Sequence, residues 1–124
     1  MNKLMRPKEM IRITLADEIP NVPGIYILAY LGRIVYVGKS ESDVQHRLDT
    51  HKSSALMPGE LLGKWMIRCS DWENIRLDIL VPPDCVDMKW WLKTAESTCI
   101  RKFIPLLNQQ LQMSFAEAHN DQRA

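Results

Sequence analysis

The chain has 124 residues, 46% of them hydrophobic and 25% charged, with a formal net charge of +1, the composition of a single globular domain with one core and no global basic signature. No apolar run approaches the roughly 20 residues of a membrane span and no signal-peptide core opens the sequence, which excludes a membrane partner and leads to an expected cytoplasmic location. Cys69, Cys85 and Cys99 are odd in number, far apart and without a C-x-x-C pair, so they read as reduced thiols rather than a disulfide framework or a zinc site.

Charge is unevenly placed along the chain. Residues 1 to 12 carry Lys3, Arg6, Lys8 and Arg12 against Glu9, whereas the stretch from Asp71 to Asp87 is acidic with only Arg76 opposing. Either one basic and one acidic face or an evenly mixed surface follows from this pattern. Asn21, Pro23 and Gly24 then punctuate a start, after which Ile25 to Tyr30 and Ile34 to Val37 are nearly continuous runs of β-favouring residues joined through Gly32. They predict a hairpin in the middle of a small sheet, with both faces covered by helices. A three-residue loop of Leu31, Gly32 and Arg33 sets Tyr36 opposite Leu28 and puts both Tyr26 and Tyr36 on one face; a two-residue loop would separate them, because a slip of one residue inverts every side chain. Both tyrosines also suit a role as core aromatics with exposed tips.

Ser40 to Asp43 has capping-box spacing, and Val44 with Leu48 gives the apolar stripe of a helix running to about Lys52. Arg47 and His51, four apart, share a face about 60° from that stripe and are expected at the rim of the core beside the sheet edge, or on a solvated helix face. Pro58 and Gly59 break the chain before a short helical stretch near Glu60 to Lys64. Ile75 to Val81 alternates as a third strand, preceded by a turn over Asp71 to Asn74 and stopped by Pro82-Pro83.

The segment Asp87 to Phe103 is the long helix. At 100° per residue, Trp91, Ala95, Met88, Cys99, Leu92, Phe103 and Ile100 share one arc, and Glu96 falls within it. A carboxylate there is neutralised, paired with a base, or bound to a cation. Trp90 lies opposite this arc, either as a lone surface aromatic near Trp65 or Trp72 or against a partner. Ile104 precedes Pro105, which ends the helix near Phe103 and returns Asn108 toward the helix end; a polar tail follows from residue 111.

In order along the chain, Gly24-Ile25-Tyr26, Tyr36-Val37-Gly38-Lys39, Arg47, Glu96 and Asn108 resemble the GIY-YIG nuclease family. The tyrosines are ten positions apart, Asn108 follows Glu96 by twelve, and the run Glu96-x-x-x-Ile100-x-x-x-x-Pro105-x-x-Asn108 is similar to the family's closing motif. Val37 stands where the family more often has Ile. The resemblance implies an α/β domain of the α+β type, a central three-stranded antiparallel sheet flanked by helices, that hydrolyses DNA phosphodiester bonds, with RNA left open as a substrate. It implies Glu96 as the sole protein ligand of Mg²⁺ or Mn²⁺. One tyrosine, with Tyr26 preferred over Tyr36, helps deprotonate the attacking water, its phenol pKa lowered by Lys39 and His51. Arg47 contacts the scissile phosphate, Gly38 lets the strand approach the phosphate backbone, and Asn108 ties the helix end to the hairpin. Gly38, Lys39, Arg47 and His51 form the expected nucleic-acid contacts. Many relatives carry a separate DNA-binding domain that is not found in these residues, so targeting would come from a homodimer, a partner protein or the loops. The alternative is a non-catalytic or partner-dependent nucleic-acid-binding module with the same fold, to which the near-neutral charge points.

Overall fold

The computed structural model describes residues 5–84 and 86–108; Lys3, Cys85 and the polar tail lie outside them. Four strands form one antiparallel sheet: β1 (Glu9–Thr14), β2 (Gly24–Tyr30), β3 (Arg33–Ser40) and β4 (Ile75–Val81), in the spatial order β1-β4-β2-β3. The expected three-stranded sheet is therefore corrected to four. The added strand is β1, whose Ile11 and Ile13 alternate with Arg12 and Thr14; its register sets Arg12 opposite Asp78. Arg12 donates to both oxygens of the buried Asp78 carboxylate, at 2.9 and 3.1 Å, and Lys8 pairs with Asp84 at 3.2 Å. Two cations of the basic run, Lys8 and Arg12, are thus paired with Asp84 and Asp78 of the acidic run, and Arg76 of the acidic run also pairs with Asp78 at 3.4 Å.

Helices α1 (Val44–Ser53) and α2 (Leu61–Arg68) cover one face of the sheet, and α3 (Met88–Phe103) covers the other. The side-chain period of two divides β2 between them. Tyr26 and Leu28 point into the core with Val44, Leu48, Leu62 and Met66, while Ile25 and Ile27 pack against Trp91, Leu92, Ala95 and Cys99. Being central, β2 is buried along all but its last residue, as the apolar run predicts; β3 is an edge strand and stays partly open.

The hairpin reaches the expected pairing by a different route. Tyr30 pairs with Arg33, so the loop is the two residues Leu31 and Gly32, both at positive φ (52° and 79°) as the right-handed twist of a tight hairpin requires. A bulge between Leu28 and Ala29 on one strand and Tyr36 and Ile34 on the other leaves Val35 as the extra residue. It restores the lost register, so Tyr36 lies opposite Leu28 and the same face as Tyr26 is kept. The three-residue loop was the wrong source of the right register.

Asp43, rather than Ser40, caps α1: its carboxylate accepts from the His46 N–H at 3.1 Å, while the Ser40 hydroxyl accepts from the Asp43 N–H at 2.9 Å. The helical stretch expected to end at Lys64 runs on to Arg68 as α2. Asp87 caps α3, and Ile104 ends it in the left-handed region at φ 47°, followed by a helical turn over residues 106–108 where an extended or turning segment was expected. Cys69 and Cys99 are free thiols. Trp90 is 48% exposed, and Trp65 and Trp72 pack instead beside Tyr30 and Lys52 on the opposite side of the sheet. No helix among the described residues is long and apolar enough to cross a membrane.

Candidate active site

Tyr26 starts the site because central-strand burial fixes its ring. It is 1% exposed and lies flat across Gly38, its pairing partner on β3; a Cβ at Gly38 would overlap the Tyr26 ring carbons and hydroxyl. The absent side chain is therefore filled by the phenol. Packing against the phenol is a reason for Gly38 within the fold, beside the approach to a phosphate backbone expected of it. Tyr36, two residues away on the same face, stacks on Tyr26 with centroids 6.0 Å apart and planes 27° apart.

His51 closes the cluster from the last turn of α1, edge-on to both rings at 6.1 and 5.8 Å. It is 4% exposed, which corrects the expected rim position. The difference comes from α2, whose N-terminus crosses over the imidazole; Gly63 permits the approach, since a Cβ there would overlap the His51 carbonyl. His51 Nε2 lies 2.9 Å from the Tyr26 hydroxyl and Nδ1 lies 2.6 Å from Glu60 Oε1. Glu60 also caps α2, accepting from the Gly63 N–H at 3.2 Å. A carboxylate accepts only, so Nδ1 carries the proton, Nε2 is the free lone pair, and the Tyr26 O–H donates to it.

The electrostatics overturn the expectation of an activated phenolate. Burial pushes the Tyr26 pKa far above its ordinary value of 10, with Tyr36 adding to the rise and Arg47 opposing it. Burial also raises Tyr36, with Glu96 next and Arg47 again opposing. His51 is held below its ordinary 6.5, burial outweighing the pull of Glu60, so it is neutral at physiological pH and lowers neither phenol. Arg47 is the cation that faces the tyrosines. At rest the cluster is two neutral phenols beside a neutral imidazole.

Glu96 approaches from the other side of the sheet. On the wheel it belongs to the apolar arc; in the fold it sits half-buried where α3 passes the β3 edge. Burial raises its pKa, and Lys39 and Arg47 are the cations that counter this. No ion pair among the described residues includes Glu96. Asn108 pins the same edge: its amide oxygen accepts from the Val37 N–H at 2.9 Å and its NH₂ donates to the Val37 carbonyl at 3.0 Å. One side chain thus replaces a missing neighbouring strand for one residue, the tie expected of it.

The fold brings Tyr26, Tyr36, Gly38, Lys39, Arg47, His51, Glu96 and Asn108 to one end of β3. Sequence reasoning missed Glu60. Its one local signal was the helix start before Leu61, which carries no hint that the same carboxylate would meet His51 nine residues earlier. Comparison with models of protein families, with curated proteins and with solved structures gives no match. The chemistry of the site is therefore argued from its own atoms.

The donor set bears on a cation. No group of three His, Cys, Asp or Glu side chains gathers a metal among the described residues. Glu96 is a single hard oxygen donor, half-desolvated and without an ion-pair partner, which suits a cation that keeps waters and takes its other oxygens from a substrate.

Proposed function

We propose that the chain is a metal-dependent endonuclease of the GIY-YIG type, cutting DNA phosphodiester bonds at the β3 edge. The observation that carries this reading is the Tyr26–His51 hydrogen bond set beside Arg47 and a Glu96 that forms no ion pair among the described residues. A neutral phenol whose proton has somewhere to go can act as a base without first becoming a phenolate. The phenol oxygen accepts a proton from the attacking water while its own proton passes to His51 Nε2. The water oxygen then forms the bond to phosphorus, the bond to the leaving oxygen breaks, and that oxygen takes a proton from solvent. After products leave, the imidazolium returns its proton to Tyr26 as the phenol releases the water-derived proton to solvent, which replaces the proton taken up by the leaving oxygen and restores the resting cluster.

Arg47 is exposed at the mouth of the cluster and lies against Tyr26, whose pKa it lowers. Drawn onto a phosphate oxygen, its guanidinium would offset the charge that grows in the transition state and uncover the phenol. Tyr36, half-buried beside it, orients the water, and Lys39 adds positive charge where the nucleic acid enters. A divalent cation on Glu96 would supply Lewis-acid stabilisation of the leaving oxygen. Removing one such preorganised electrostatic group typically costs about 10²–10³-fold in turnover.

The competing reading, a binding module without catalysis, draws on the charge: Lys8 and Arg12 are occupied by Asp84 and Asp78. Incubation with supercoiled plasmid at low ionic strength, where phosphate contacts are strongest, separates the two. Nicking that needs Mg²⁺ or Mn²⁺, stops with chelator and falls at least 10²-fold in Glu96→Gln is the expected result. Plasmid binding without cutting would support the module instead.

A further inference from the structure

Resting on the nuclease reading, we propose that Glu60 is a positioning residue for the proton path: held in place as the N-cap of α2, it fixes the tautomer of His51 so that Nε2 faces Tyr26 as a lone pair.

The geometry leaves the imidazole little choice. Its two nitrogens meet a carboxylate at 2.6 Å and a phenol at 2.9 Å. The opposite tautomer would turn a lone pair toward the Glu60 carboxylate and an N–H toward the Tyr26 hydroxyl, removing the proton outlet of the phenol. Glu60 itself is not free to turn away, because the same oxygen accepts the Gly63 N–H. The close crossing of α1 and α2 at Gly63 holds the carboxylate against the imidazole. The other charged or titratable groups facing His51 are Tyr26, Tyr36 and Arg47; none of them contacts Nδ1, so the task falls to Glu60.

The charge balance points the same way. When the Tyr26 proton reaches Nε2, the new imidazolium forms beside an existing carboxylate, so positive charge develops where negative charge waits. Glu60 gains no proton in the step. Its contribution is orientation and compensation.

The test uses the full chain and two readouts. Long-range ¹H–¹⁵N correlation of the His51 imidazole reports which nitrogen is protonated, independently of cleavage. Plasmid cleavage with Mg²⁺ is then compared for the wild type, Glu60→Gln, His51→Gln and the double variant. Glutamine can still accept from the Gly63 N–H and from Nδ1 through its carbonyl, so the cap and the tautomer are kept while the charge that offsets the imidazolium is lost; the tautomer itself is read from the imidazole spectrum. The expected results are a neutral Nδ1–H imidazole in the wild type and a loss of about 10²-fold in kcat for Glu60→Gln with little change in KM, the usual scale for general acid–base groups. In the His51→Gln background, Glu60→Gln should cost almost nothing more. A wild-type imidazole protonated at Nε2, an unchanged kcat in Glu60→Gln, or additive losses in the double variant would each overturn the role of Glu60. A wild type that holds the Nδ1–H tautomer yet cuts no plasmid would overturn the nuclease reading and the catalytic role with it.

Discussion

The two faces of the sheet are built from the same strands and do opposite work. Against α3, β2 and β3 contribute Ile25, Ile27 and Val37, which meet Trp91, Leu92, Ala95 and Cys99 in an apolar layer. Against α1 and α2, the alternate residues include Tyr26 and Tyr36, and the helices answer with His51. Both layers bury polar groups, the Asp78 carboxylate held by Arg12 on the α3 side among them, but only the second links them in a chain of titratable side chains, from Tyr26 to His51 to Glu60, which ends on the Gly63 N–H. On the α3 face the Trp91 indole N–H is buried and has no hydrogen-bond partner among the described residues. The comparison teaches that a period of two can place chemistry and packing on one strand without either disturbing the other. The candidate site then lies where the faces meet, at the β3 edge, because only there can Glu96 from α3 share a space with Arg47 from α1.

If the α3 face is mainly packing, Trp91→Ala should break it hardest. Trp91 is fully buried, and emptying its place is expected to cost about 3–5 kcal/mol in urea unfolding, as aromatic-to-alanine core changes do. Its effect on cleavage under conditions where the variant stays folded should be much smaller than that of Glu96→Gln.

On the other face, Gly38→Ala should damage fold and activity together. The added methyl meets the Tyr26 ring, and overpacking of this kind typically costs about 1–3 kcal/mol. Because relief requires Tyr26 to move, its bond to His51 should be lost as well, so cleavage should fall further than stability explains. A stable variant with full activity would show that Tyr26 is not held where its proton path needs it.

The smallest effect is one of pH. Folded His51 binds a proton less readily than an unfolded histidine at 6.5, so below that value the unfolded state holds more protons. The neutral-histidine contribution to stability is fully present above 6.5, is lost as pH falls through it, and levels off below the folded pKa. Denaturant midpoints from pH 7.5 down to pH 5 should therefore fall more steeply for the wild type than for His51→Gln. Equal slopes would mean that His51 is not held neutral by burial.

How much of this was legible in the sequence depends on the range of the interaction. The hairpin, the long helix, the final strand and the stops at Pro82-Pro83 and Pro105 are local matters of period and backbone restriction, and they were read from the residues. Glu96 stood out because a carboxylate within an apolar arc breaks a local rule. The resemblance implied a tie from Asn108 to the hairpin without naming its partner, and the two amide hydrogen bonds place it at Val37. The missed strand β1 is short and charged, and its place depends on Asp78, a residue far along the chain that takes Arg12 as partner. The bulge at Val35 could not be read either, since a two-residue turn plus one extra residue and a three-residue loop give the same alternation. Above all, the sequence determined which groups could titrate, and tertiary packing decided which way they shift. The crossing of α2 over His51 and the burial of Tyr26 outweighed the nearby cations, because desolvation acts on every buried charge whereas a favourable charge must be near to offset it.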